Sequence, residues 1–218
     1  MPSIFLLDYD GTLARTDEAI ARCMFDTLAE VSSTPPDPAA VEDVVAQGLL
    51  IGRAFATLLG QPEGELSEDL ARRYLSRYAA YDRQYARAFP EARPTLEALK
   101  ARGARLLVVT NKMTENAELS LGHVGLADLV EAVIGAGPGL PPKPDPRVFT
   151  ERVAPLFPGV APERFMMVGD TEADLGFARA AGLRAAWASY GFGRREACMA
   201  LNPDYRLAGI ADLLTLPD

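Results

Sequence analysis

One pattern constrains this chain more than any other: short apolar runs that stop at a polar or small residue, each followed by a helix-like stretch. Ile4, Phe5, Leu6 and Leu7 end at Asp8, and the run 106–109 ends at Thr110-Asn111. The runs 130–134, 165–168 and 185–188 end at Gly135, at Gly169-Asp170 and at Ser189. Continuous apolar runs of this length suit strands covered on both faces, the condition of a parallel sheet. Between them the periodicity predicts helices over 94–102, 113–123, 146–157 and 171–181, with Gly103, Gly125 and Gly182 placed as left-handed caps. The expectation is an α/β fold: an open, Rossmann-like, mostly parallel sheet with helices on both faces.

Residues 16–87 break the rhythm. They contain no convincing strand, but helical patterns over 17–31, 39–48, 52–60 and 67–87, interrupted at Pro35-Pro36-Asp37-Pro38 and near Gly60-Gln61-Pro62. An all-helical block between the first and second strands reads as an inserted subdomain. The expected division is a core of 1–15 and 88–218 and a helical insert of 16–87, with hinges near 13–17 and 86–91. The insert holds seven arginines, no lysine and twelve acids.

Composition narrows the function. A formal charge of −8 over 218 residues argues against a nucleic-acid partner held by a broad basic surface. An anionic small substrate then needs local cations or a metal. The single histidine, His123, excludes a multi-histidine zinc site, and Cys23 and Cys198 form no CxxC pair. The N-terminal apolar run is too short for a signal peptide, and no stretch approaches the ~18 apolar residues of a membrane span. A soluble cytoplasmic protein is expected.

In open parallel sheets, ligands bind beyond the carboxyl ends of the strands, so the residues closing the runs are the informative ones. Asp8-Tyr9-Asp10-Gly11-Thr12-Leu13 places two carboxylates at one strand tip. At ~5 Å and an effective dielectric near 20 they repel by roughly 3 kcal/mol. A shared proton, a lysine or a divalent metal relieves this; a plain polar turn is the alternative. Gly11 permits a tight turn and Thr12 can cap it. Gly169-Asp170-Thr171-Glu172-Ala173-Asp174 supplies a second acidic tip, also readable as a helix N-cap. Asp8, Asp10, Asp170 and Asp174 at one sheet edge call for a cation, and Mg²⁺ suits an all-oxygen donor set. Asp145 and Glu172 are weaker outer-shell candidates. Only three of the 22 basic residues are lysines; of these, Lys112 immediately follows Thr110-Asn111, and Lys143 sits in a proline-rigidified loop before a helix. A compact ammonium there suits an anionic oxygen next to a carboxylate.

These residues resemble the haloacid dehalogenase-like superfamily, in particular its phosphoglycolate phosphatase-like branch with a helical cap. The four motifs occur in family order as Asp8 to Leu13, Val109-Thr110-Asn111-Lys112, Lys143-Pro144-Asp145-Pro146 and Gly169 to Asp174. The resemblance implies that 16–87 is the cap. It implies a Mg²⁺-dependent phosphatase acting on a small phosphomonoester, with 2-phosphoglycolate the first candidate. Asp8 would be the nucleophile of an aspartyl-phosphate intermediate and Asp10 the general acid and base. Thr110, the backbone of Asn111, and Lys143 would hold the phosphoryl oxygens. The metal would lie on the Asp8 carboxylate, the Asp10 carbonyl and Asp170, with Asp174 an outer or direct partner. Gly11, Thr12, Lys112 and the cap's Arg53 are further substrate-binding candidates. Dehalogenases of the superfamily lack an acid two residues after the nucleophile, so Asp10 favours phosphoryl chemistry.

Tyr9 and Ala14-Arg15-Thr16-Asp17 depart from the usual family pattern without removing a chemical group, and Glu91 stands where the family often has a Pro-Gly turn at the return from the cap. Tyr74, Tyr78, Tyr81 and Tyr85 are spaced as one helix face and read as packing; His123 reads as structural. Two alternatives remain: a phosphoglucomutase-like phosphotransferase, for which 16–87 lacks lysine and histidine, and a non-catalytic phosphate-binding protein. The expected partner is a small phosphorylated metabolite, with neither nucleic acid nor membrane, on a monomer or homodimer.

Overall fold

The computed structural model describes residues 3–32, 34–137, 139 and 141–216. Strand β1 (Ile4–Leu7) is buried throughout, and its side chains divide by parity. Phe5 and Leu7 enter one hydrophobic cluster; Ile4 and Leu6 enter a second on the opposite sheet face. A strand at the centre of a two-faced core has no polar side, which is why its sequence shows none.

Along the chain follow β2 (Ala14–Arg15), α1 (Asp17–Leu28), α2 (Pro38–Ala46), α3 (Ile51–Leu58), α4 (Glu65–Tyr85) and β3 (Arg87–Ala88). Then come α5 (Ala92–Ala101), β4 (Arg105–Met113), α6 (Thr114–His123), β5 (Ala132–Ala136) and β6 (Phe165–Gly169). The chain continues through α7 (Glu172–Ala181), β7 (Arg184–Ala188), α8 (Arg195–Ala200) and β8 (Tyr205–Leu207). The sheet has six strands in the order β5-β4-β1-β6-β7-β8, every pair parallel. β1 lies between β4 and β6, so Asp8 and Asp170 leave adjacent strand ends beside Thr110, which β4 carries within its last four residues rather than past its end as the run 106–109 suggested.

Leu96 and Leu99 of α5 and Leu121 of α6 cover the first face; Phe149, Val153, Leu175 and Phe177 cover the second. Each fully buried side chain of this size contributes about 1.5–3 kcal/mol. Helices α1 to α4 close on a third cluster of their own, built around Cys23, Phe55, Leu70, Tyr74 and Tyr78. Asp37 caps α2 by accepting from the Ala39 N–H at 3.1 Å, and Pro38 occupies the first helical position. The two connections between helical block and sheet pair as a short antiparallel ribbon, Ala14 with Ala88 and Arg15 with Arg87.

Three features differ from the sequence expectation. The helix expected over 146–157 is a π turn (Phe149–Val153) followed by a 3₁₀ turn (Ala154–Leu156). Pro155 has no N–H to continue an α-helical ladder there. The sheet gains β8, where only Leu207 is fully buried, too little apolar pattern to mark a strand. The run 130–134 forms its strand two residues later, at Ala132, after a 3₁₀ turn (Ala127–Leu129). Gly103, Gly125 and Gly182 do take positive φ as expected. Among the described residues no helix is long and apolar enough to cross a membrane.

Candidate active site

Lys143 organises the site. Its side chain is 2 % exposed, and all three ammonium protons are committed. Nζ donates to Asp8 Oδ1 at 2.9 Å, to the Val109 carbonyl at 2.6 Å and to Asp174 Oδ1. Burial alone would depress its pKa, but the Asp174 and Asp8 carboxylates outweigh burial and hold it above the ordinary lysine value. Asn111 fixes the lysine's own backbone: its Oδ1 accepts from the Lys143 N–H at 2.8 Å and its Nδ2 donates to the Lys143 carbonyl at 3.1 Å. Nδ2 also reaches the Gly48 carbonyl of the helical block, at 3.4 Å.

Asp8, Asp170 and Asp174 are all buried, and each offers a carboxylate oxygen within 4.8 Å of the others. The Asp8 carboxyl is pushed up to about 7 by burial and then by the Asp174 charge, against the pull of Lys143. Asp170 is raised well above the usual range by burial, then by Asp174 and Asp8. Two donors counter this in part: the Thr12 hydroxyl gives to Oδ1 at 3.2 Å, and the Phe192 N–H gives to Oδ2 at 2.7 Å. One lysine among three buried carboxylates leaves negative charge uncompensated, and the donor set is oxygen only. Both properties fit a hard divalent cation such as Mg²⁺. Asp8 Oδ2 has no hydrogen-bond partner among the described residues.

Asp174 has a second task. Its Oδ2 accepts from the Thr171 N–H at 3.0 Å and the Thr171 hydroxyl at 2.8 Å, closing a capping box at the start of α7. The N-cap is therefore Thr171, which leaves Asp170 free of the capping role that the sequence allowed it.

Asp10 lies at the cavity wall, held by Lys112, whose Nζ donates to Asp10 Oδ1 at 3.0 Å. The same ammonium donates to the Tyr78 hydroxyl of α4 at 2.8 Å and lies 4.0 Å from Asp82 Oδ1. Asp82, also on α4, accepts the Ser120 hydroxyl proton at 2.6 Å, and Tyr9 in turn donates to Ser120 at 2.6 Å. His123 Nδ1 stands 3.5 Å from Asp82 Oδ2, at the edge of this cluster.

A cavity of ≈ 500 Å³ opens over these groups, lined by Asp8, Asp10, Thr110, Asn111, Lys112, Lys143 and Asp174 on the sheet side and by α1 to α4 on the other. Arg53 lines it from α3 and is exposed. Gly11 and Thr12 do not reach it, contrary to their expected part in substrate binding. The Gly11 N–H is bonded to the Ala14 carbonyl at 2.8 Å and the Thr12 N–H to the Tyr9 carbonyl at 3.3 Å. With the Thr12 hydroxyl on Asp170, neither residue has a donor left. Gly11 is needed for another reason: at φ 77°, a Cβ there would lie 2.3 Å from Asp170 Oδ2. Asp145 and Glu172 turn away from the acids to pair with Arg147 and Arg194. Tyr74 and Tyr78 pack in the helical block as expected, yet also line the cavity.

Sequence reasoning missed the far side of Asp170. The Trp187 indole donates to the Asp170 carbonyl at 3.1 Å, and the loop after β7 presents the Phe192 N–H. A Cβ on Gly193 would lie 1.8 Å from that carbonyl, so only glycine lets the loop close. Two glycines just past a strand end, Gly191 and Gly193, were the available signal.

With this geometry in view, comparison with known proteins is informative. A phosphoglycolate phosphatase of Rhodospirillum rubrum is 35% identical over 228 residues, covering 100% of this chain and 92% of the relative. One from Aquifex aeolicus is 30% identical over 99% of this chain and 96% of its own length. Among solved structures, a predicted phosphoglycolate phosphatase from Haemophilus somnus superposes with a TM-score of 0.81 at 29% identity, covering 98% of this chain and 96% of that one. A haloacid dehalogenase-like family hydrolase from Streptococcus pneumoniae, 24% identical, shares the fold with a TM-score of 0.86 over 98% of this chain and 97% of its own. Residues 5–188 match the haloacid dehalogenase-like hydrolase family across both the sheet and the helical block. The chain belongs to that family.

Proposed function

We propose that the protein is a Mg²⁺-dependent phosphomonoesterase that works through an aspartyl-phosphate on Asp8. One observation carries this reading: Asp8 lies against a buried lysine, beside two further buried carboxylates, with a second aspartate held at the same cavity floor by its own lysine. Binding alone requires no such pairing of a nucleophile with a proton donor.

Asp8 attacks phosphorus, and the new O–P bond forms as the ester P–O bond breaks. Asp10 gives its proton to the departing alcohol oxygen, then removes one from the water that hydrolyses the phosphoaspartate. Lys112 holds the Asp10 carboxyl in place through both steps. Lys143 orients Asp8 and offsets charge on the transferring group, while Thr110 and the Asn111 backbone receive its oxygens. Asp8, Asp170 and the Asp10 carbonyl would hold the Mg²⁺, with Asp174 fixing Lys143 behind them. When bound, the ion neutralises the acids and the phosphoryl charge. Residues 16–87 act as the cap that excludes water above the floor.

2-Phosphoglycolate, named in the R. rubrum and A. aeolicus relatives, is the first ester to assay, and Arg53 is the wall cation available to its carboxylate. The test is hydrolysis of p-nitrophenyl phosphate and 2-phosphoglycolate with Mg²⁺ and with EDTA. Metal-dependent release of phosphate by the wild type is expected; phosphate binding without turnover would overturn the reading.

A further inference from the structure

The two sides of the cavity differ in chemistry. The charged groups assigned to phosphoryl transfer, Asp8, Asp10, Lys112 and Lys143, lie on the sheet side. The helical side presents Met24, Val44, Val45, Leu49, Ile51 and Leu75 together with the Tyr74 and Tyr78 rings, the Tyr78 hydroxyl being taken up by Lys112. Its only charged lining residues among those described are Arg53 and Glu63, both exposed and opposite in sign. The wall therefore has no net charge to offer a substrate.

Size points the same way. The ≈ 500 Å³ cavity falls in the ~300–1,000 Å³ range of small-molecule sites, and with a phosphate seated on its sheet side it still leaves more room than a two-carbon acid fills. A carboxylate pressed against this wall would lose hydration, with one exposed arginine in return. The surrounding insert, with twelve acids to seven arginines, adds repulsion. An alkyl or aryl group there displaces water from aliphatic surface instead.

We propose that the helical wall binds the organic half of the substrate and that this half is apolar and longer than two carbons. The favoured substrates are then phosphate monoesters of hydrophobic alcohols or phenols. This assignment rests on the phosphomonoesterase reading for the position of the phosphate, and it deepens that reading by naming the class of alcohol.

The test has a binding arm and a turnover arm, both with the full chain and Mg²⁺. In the first, calorimetry follows n-alkylphosphonates from methyl to hexyl, which cannot be hydrolysed. Affinity is expected to tighten about four-fold per methylene. In the second, kcat/KM for hexyl phosphate is expected to exceed that for 2-phosphoglycolate by at least about ten-fold. Leu49→Asn and Val45→Thr alter partly exposed wall side chains. Each is expected to flatten the chain-length dependence while changing methylphosphonate affinity by less than about two-fold. A flat series, or a preference for 2-phosphoglycolate, overturns the assignment and leaves the phosphatase reading standing. A steep binding series with no turnover of any ester does the reverse.

Discussion

Lys112 donates from one ammonium to Asp10 Oδ1, at 3.0 Å, and to the Tyr78 hydroxyl, at 2.8 Å. The proposed proton donor is thus tied to helix α4 of the helical block through a single side chain. Lys112→Met should lower kcat about 100-fold, the low end of the ~10²–10⁴-fold range for a positioned acid–base group, with little change in KM. Tyr78→Phe leaves the Lys112–Asp10 contact intact and should cost no more than about five-fold. Steady-state kinetics on one ester decides; equal losses in the two variants would count against a role acting through Asp10.

Asp8→Asn keeps the size of the side chain but removes the charge of the proposed nucleophile. Turnover should fall by at least about a thousand-fold. Mass spectrometry of acid-quenched protein should find a phosphorylated peptide containing residue 8 in the wild type and none in the variant. A phosphoenzyme on any other residue would refute the assignment.

The buried acids make a metal-free stability prediction with a definite sign. The Asp8 carboxyl is raised from 3.8 to about 7, and Asp170 shifts the same way. Between those values the folded protein holds protons that the unfolded chain releases, so stability falls as pH rises through the window. Surface carboxylates lowered by arginine, such as Glu30, Asp69 and Asp128, act oppositely, but their ordinary range ends near pH 5. In EDTA, Tm should therefore drop between about pH 5 and pH 7. Mg²⁺ should raise Tm more at the upper end, and Asp8→Asn should shrink the drop. A flat or rising metal-free Tm would contradict the cluster's electrostatics.

Gly193→Ala tests the loop behind Asp170. Its Cβ would meet the Asp170 carbonyl at 1.8 Å, with the Thr171 Cα at 3.0 Å, and backbone gives way less readily than a side chain. The expected cost is about 1–3 kcal/mol in urea unfolding. Weaker Mg²⁺ stabilisation should accompany it, because the Phe192 N–H that serves Asp170 sits one residue away.

The sequence carried the site further than the scaffold around it. Asp8, Thr110 and Asp170 were legible because each closes an apolar run in the sequence, Asp10 because it lies two residues beyond Asp8, and Lys143 because lysine is scarce here and this one sits in a proline-rich loop; the topology brings them together. Asp82, Ser120 and Tyr9 were not, because their link spans helices distant in the chain and leaves no periodic trace. β8 escaped for want of apolar residues, and the ribbon of β2 and β3 because two residues show no alternation. The spent donors of Gly11 and Thr12 could be counted only once their turn was folded.

That ribbon has a consequence for how such a molecule can diversify. Ala14 and Ala88 stand side by side, so the polypeptide departs and re-enters at a single doorway. Asp8, Lys143 and the sheet that spaces them all lie outside the segment between those two alanines. Selectivity can drift through the side chains this segment contributes to the cavity wall while Asp8 and Lys143 keep their contact.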